Sequence, residues 1–201
     1  MATYILVHGG DRDGTIWHEV AQTLQSHGNK VFCPSMTSIK TSTLEQNIAE
    51  ISSVIEINNL SNVILIGHSY GAMVITGVAD KFANKIELMV FVDSAIPESG
   101  KALYEIFAEY GFNYRDLGLT PDQPCITPLS FDKKQFAARP KAYVHCQQSE
   151  FISLTKPIYQ DVLGRAAKDN FVCFNLDTVH SCMLTEPKAL AAILAGVQVL
   201  I

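Results

Sequence analysis

Long apolar runs are missing from this 201-residue chain. No stretch approaches the about twenty apolar residues that a membrane-spanning helix needs, so a membrane is not expected as a partner. Cationic clusters are missing as well. Fifteen Lys and Arg against 20 Asp and Glu leave a net charge of −5 and no electrostatic footprint for nucleic acid. The six histidines contain no H-x-x-x-H or H-E-x-x-H spacing, so a metal site has no support in the sequence. The five cysteines (Cys33, Cys125, Cys146, Cys173 and Cys182) are odd in number and form no C-x-x-C pair. The opening residues MATYILVHGG carry no basic segment ahead of their short apolar run and read as a first strand rather than a signal peptide. The expectation is a cytoplasmic protein with reduced thiols, Cys146 and Cys173 serving as strand packing.

What is present is apolar: 48% of residues, enough for one domain with a sizeable core. Six β-rich runs read as strands: TYILVHG (3–9), KVFCPS (30–35), NVILIGH (62–68), IELMVFVDS (86–94), KAYVHCQ (141–147) and NFVCFNLD (170–177). Most are continuously hydrophobic, as strands covered on both faces are. Helical spacing lies between them. Ile16, Val20 and Leu24 form one stripe, with Trp17 and Ala21 alongside and Gly28 as a stop. Leu44, Ile48, Ile51 and Ile55 form a second, with Ser42 to Glu45 as a capping box. Ala72, Ile75, Ala79 and Phe82 form a third, and TEPKALAAILAGVQVL closes the chain with Thr185 as N-cap and Pro187 in the first turn. Alternating strands and helices predict an α/β fold on a mainly parallel sheet, with ligands outside the carboxyl ends of the strands. The segment from Pro97 to Pro140 breaks the alternation. It holds one short helical pattern (Leu103, Phe107, Tyr110) and then LTPDQPCITPLS, and reads as a lid or binding loop.

Within VILIGHSYGAMV, Gly67-x-Ser69-x-Gly71 matches a nucleophile elbow, and it stands where that motif must stand, after a strand and before a helix. Such a turn projects the serine hydroxyl outward and turns the Tyr70 N–H toward a developing oxyanion. A serine needs a base, and His180, between the sixth strand and the final helix, is where a strand-end loop would return one. The HGGDRDG loop after the first strand, His8 to Gly14, offers the Gly10 N–H as a second oxyanion donor.

ILVHGG…W, GHSYGAMV, FVDSAIPE and VHSCML together resemble the α/β-hydrolase superfamily. They are most similar to the branch of plant methyl esterases, the salicylate-binding esterase, hydroxynitrile lyases and bacterial relatives. The resemblance covers about the first hundred residues and the last forty. It implies an α/β-hydrolase fold, a mainly parallel sheet of about six strands with helices on both faces and a short cap at about 97–140. It also implies a Ser-His-acid triad acting without cofactor on a small, mostly apolar ester or lactone, with a homodimer left open.

Three departures qualify that resemblance. The family's acid usually follows the strand read here as AYVHCQ, where this chain has Ser149 and, one residue later, Glu150. Asp93 at the end of the preceding strand is the favoured acid, Glu150 the alternative, with Asp177 or no acid as the remaining options. Ser181 after His180 and Gly9 in the first loop replace the lysine and threonine of the hydroxynitrile lyases, which argues against cyanohydrin cleavage. The short cap predicts a shallow apolar site lined by Leu103, Phe107, Tyr110, Phe112 and Tyr114 with Tyr70 and Trp17. The rival reading is a ligand-binding or sensing protein on the same scaffold, with little turnover.

Overall fold

The computed structural model describes residues 1–117 and 120–197. All six expected strands form: β1 (Thr3–Val7), β2 (Lys30–Phe32), β3 (Val63–His68), β4 (Ile86–Val92), β5 (Lys141–Cys146) and β6 (Phe171–Leu176). They make one parallel sheet in the order β2-β1-β3-β4-β5-β6. The continuous hydrophobicity of the inner strands has the cause expected for parallel sheets. Ile5 and Val7 of β1 and Leu65 of β3 enter a core on one face, and Tyr4, Leu6, Ile64 and Ile66 enter a second core on the other.

Helices cover both faces: α1 (His18–Ser26), α2 (Leu44–Ile57), α3 (Gly71–Lys81), α4 (Leu103–Glu109), α5 (Gln123–Ile126), α6 (Lys133–Ala138), α7 (Ile152–Asp169), α8 (Cys182–Thr185) and α9 (Pro187–Val197). Among the described residues no helix is long and apolar enough to cross a membrane. A 3-10 turn, Gly14–Trp17, leads into α1, and Gly28 follows it at φ +80°, the left-handed position that favours glycine.

Several local expectations are corrected. The N-cap of α2 is Thr43, whose hydroxyl accepts from Gln46 N–H at 3.0 Å, while Ser42 turns inward to Asn47 Oδ1 at 3.1 Å. Thr185 ends α8 instead of capping the last helix. Its hydroxyl is taken by Thr178 at 2.6 Å, and Pro187 opens α9. The last three residues of the expected helix, 198–200, lie outside the described residues. Helix α7 has no counterpart in the sequence reading because Pro157 sits inside it.

The segment after β4 is more ordered than a proline-spaced loop. It carries α4, a 3-10 turn (Tyr114–Leu117), α5 and α6, although 118 and 119 lie outside the described residues. An antiparallel bridge joins Lys101 to Leu129. Ser99 Oγ donates to Phe131 O at 2.7 Å and accepts from Phe131 N–H at 2.9 Å. Asp132 N–H donates to Asp80 Oδ1 of α3 at 2.8 Å.

Candidate active site

Between the end of β3 and the start of α3, Ser69 sits at φ +53°. Glycine is required on both sides of it. A Cβ at Gly67 would lie 2.7 Å from the Gly71 carbonyl oxygen, and one at Gly71 would lie 2.8 Å from Val7 O and 2.9 Å from His8 O. The turn is tied to the next strand by Ser69 N–H donating to Val92 O at 3.2 Å. One residue beyond Val92, Asp93 also has positive φ, +42°. Left-handed backbone at a non-glycine residue costs of order 1–3 kcal/mol and persists where the surroundings impose it. Here two such residues stand at the carboxyl ends of adjacent strands.

Asp93 is buried, and its Oδ2 lies 2.7 Å from His180 Nδ1. Its Oδ1 accepts from Cys146 N–H at 3.2 Å and lies 3.8 Å from His145 Nδ1. Burial alone would raise this carboxyl's pKa, but His145, His180 and the Ser149 hydroxyl outweigh it and hold the group well below the usual carboxylate range. Glu150 has another task. Its Oε2 accepts from the His180 backbone N–H at 3.0 Å and does not meet the ring. Asp177 is exposed and accepts from Gln148 at 2.7 Å.

His180 is held from three directions: Asp93 at the ring, Glu150 at its N–H, and His68 Nε2 donating to its carbonyl at 3.0 Å. That last bond puts the proton of His68 on Nε2. The His68 ring lies 4.3 Å from the His180 ring, and its Nδ1 is buried without a hydrogen-bond partner among the described residues. Burial first, then the neighbouring His180 charge, push its pKa down to about 3, so it stays neutral. The Ser69 hydroxyl is half-buried and makes no hydrogen bond among the described residues. Serine–histidine bonds are often open without substrate.

The first loop passes directly beside the elbow, since a Cβ at Gly9 would lie 2.9 Å from Ser69 Cβ. His8 shapes this loop. Its Nδ1 donates to Gly9 O at 2.7 Å, and its Nε2 accepts from Met36 N–H at 3.0 Å. The Gly9–Gly10 peptide is trans, so pinning its carbonyl to His8 turns the Gly10 N–H the opposite way. Neither Gly10 N–H nor Tyr70 N–H has an acceptor among the described residues. The Tyr70 ring points into the core, its hydroxyl donating to Asn47 Oδ1 at 2.9 Å.

The expected substrate contacts divide. Trp17, the last residue of the 3-10 turn before α1, is wholly buried in the core with Leu6 and Ile66, edge-on to His68 at 6.4 Å. Leu103 is buried with Ile106 under α4. Phe107 packs on Tyr104 and Phe112, and the Tyr110 hydroxyl reaches Asp161 of α7 at 3.4 Å. Among the described residues, none of the four makes a hydrogen bond or ring contact with Ser69 or His180. Four neighbours went unassigned in the sequence: His68, inside the motif itself; His145 and Ser149, around Asp93; and Phe151. The Phe151 ring meets His180 edge-to-face with centroids 4.9 Å apart and is 47% exposed. Among the described residues, no group of three His, Cys, Asp or Glu side chains could hold a metal ion.

This arrangement has known counterparts. The model of the alpha/beta hydrolase family matches residues 4–196. The chain belongs to that family. A carbendazim hydrolyzing esterase of Nocardioides sp. (strain SG-4G) is 40% identical over 111 residues, 51% of this chain and 46% of that protein. Methylesterase 8 of Arabidopsis thaliana is 29% identical over 107 residues, 48% of this chain and 39% of that one. The chain thus spans about half the length of the curated relatives it matches. Among solved structures, an extracellular alpha/beta-hydrolase from a Paenibacillus species superposes with a TM-score of 0.77 at 21% identity, covering 98% of each chain. At that identity the likeness speaks for the hydrolase fold alone.

Proposed function

We propose that this alpha/beta hydrolase is a carboxylic ester hydrolase with Ser69 as nucleophile, His180 as base and Asp93 as the triad acid. The observation that carries the reading is the 2.7 Å contact of His180 Nδ1 with a buried Asp93 carboxylate, at strand ends adjoining the strained Ser69 turn. Ser69 Oγ attacks the ester carbonyl while His180 Nε2 takes its proton. Asp93 holds the imidazole in the tautomer that leaves Nε2 free and stabilises the imidazolium that forms. Gly10 and Tyr70 N–H groups receive the oxyanion. His180 then protonates the leaving alcohol as the C–O bond breaks, and a water, activated the same way, releases the acid from Ser69.

The chain acts as one domain, with residues 97–140 as a reduced cap beside the site. No cationic cluster marks an anion site, so the substrate is a small, uncharged, mostly apolar ester, in keeping with the esterase names of the relatives. The chemistry draws on no cofactor. Hydrolysis of short-chain p-nitrophenyl esters by the wild type and Ser69→Ala tests the reading. Saturable turnover that disappears in Ser69→Ala is expected. A wild type no faster than Ser69→Ala on every ester would sink it and favour a binding protein on the same scaffold.

A further inference from the structure

We propose that Phe151 forms the wall of the leaving-group side of the site and selects neutral esters whose alcohol is an apolar chain or ring larger than methyl. The inference rests on the esterase reading above, and its starting point is the surroundings of the His180 ring. Nδ1 is taken by Asp93 at 2.7 Å, and the His68 ring lies 4.3 Å away, tilted by 45°. The other aromatic neighbour is Phe151, perpendicular at 76° and 4.9 Å between centroids.

Phe151 is held in place yet uncovered. Its backbone N–H donates to Ser149 Oγ at 3.2 Å, and its carbonyl accepts from Leu154 and Thr155 N–H at the start of α7. The preceding residue, Glu150, is anchored to His180 N–H. The ring is therefore fixed beside the base, at the carboxyl end of β5, while nearly half of its surface stays in water. Among the described residues every other phenylalanine, tyrosine and tryptophan is buried or half-buried.

Chemistry says what covers it. His180 must deliver its proton to the alcohol oxygen as the bond to the acyl carbon breaks, so that oxygen comes within about 3 Å of Nε2. The first carbons of the alcohol then lie within reach of a ring packed edge-on against the same imidazole. A methyl group is too short to cover the phenyl face, whereas a butyl or benzyl group removes it from water. The Glu150 carboxylate beside the loop disfavours an anionic alcohol portion.

The test measures acid release from methyl, butyl and benzyl acetate, whose alcohols are similar in acidity, by the wild type, Phe151→Ala, Phe151→Leu and Ser69→Ala. The wild type should prefer benzyl over methyl in kcat/KM by at least roughly tenfold. Phe151→Ala should remove most of that preference, and Phe151→Leu, which keeps an apolar wall, should retain most of it. A melting scan confirms that each variant folds. A wild-type ratio near one, or a ratio unmoved in Phe151→Ala, overturns the proposal while leaving the esterase reading standing. Loss of Ser69-dependent release from every ester removes the esterase reading and this proposal with it.

Discussion

At the carboxyl ends of β3 and β4, Ser69 and Asp93 are both forced to positive φ, flanking glycines have no room for a methyl group, and His180 is held by three hydrogen bonds. Between Pro97 and Pro140, the described residues form four short helical segments held by one β-bridge, the two bonds of Ser99, bonds from Asp132 to α3, from Tyr110 to α7 and from Arg139 to the Ala83 and Ile86 carbonyls, and the burial of Leu103, Ile106, Cys125 and Leu129. The strand ends tolerate one geometry because backbone atoms of β1, of the loop after it and of the start of α3 supply the walls. The intervening segment is held instead by side-chain bonds and apolar packing, and a Cβ added at Gly100 or Gly111 would meet nothing within 4 Å. On the proposed function, reaction chemistry concentrates in the first region and variation in what is bound in the second.

The largest effect that would sharpen this contrast is on the acid. Asp93→Asn should lower kcat by about 10⁴, because the amide cannot hold the same histidine tautomer. Glu150→Gln removes only the charge of a group that accepts a backbone N–H, and should cost no more than about tenfold. Steady-state rates on one p-nitrophenyl ester decide between them. Equal losses would break the distinction drawn between the two carboxylates.

Next comes Gly71. Alanine there puts a methyl against the carbonyls of Val7 and His8, which are backbone and cannot swing away. A loss of about 1–3 kcal/mol is expected, together with reduced activity as the first loop is pushed off Ser69. In the other region, Ser99→Ala deletes two hydrogen bonds to Phe131 and should cost a similar 1–2 kcal/mol. Its kcat/KM should stay at the wild-type value. Denaturant unfolding read beside esterase rates on both variants makes the test. A loss of activity in Ser99→Ala at temperatures where it is folded would mean that the intervening segment helps shape the catalytic edge.

The same contrast governs what could be read from residues alone. Strands β3 and β5 are buried along their whole length, so their apolar runs announced a parallel sheet, and Gly67 and Gly71 announced the turn because steric exclusion leaves a mark in composition. His180 followed from its place after the sixth strand. His68 passed unremarked because its contribution depends on the His180 carbonyl, 112 positions away, which local pattern does not carry. Phe151 was lost in the same way: an apolar residue opening a proline-containing helix looks like core, and only its exposure and its contact with the distant His180 separate it from one. The cap of α2 moved by one residue because Ser42 and Thr43 both carry a hydroxyl able to cap and their partners chose between them, while Thr185 was drawn away by Thr178.

The smallest effect concerns pH and places the acid sensitivity of the fold at the strand ends. Burial pushes the folded pKa of His68 down to about 3 from the ordinary 6.5, so the native state keeps it neutral where the unfolded chain takes up a proton. Its contribution is therefore complete above about pH 6.5 and is lost as pH falls toward 3, at up to about 1.4 kcal/mol per pH unit. His8, lowered chiefly by burial, acts in the same direction. Asp93 adds to the slope only at lower pH, because its carboxyl is depressed and its unfolded counterpart binds a proton only near and below the ordinary range, 3.8. Between pH 4.5 and 6 the histidines thus dominate among these groups. His68→Gln, whose amide can still donate to the His180 carbonyl, should reduce the slope of unfolding free energy against pH by about one proton in that window. Urea unfolding at half-unit steps measures it. An unchanged slope would mean that His68 titrates in the native state, and a cation beside the His180 ring would then have to be accommodated at the edge whose rigidity distinguishes it from the segment between β4 and β5.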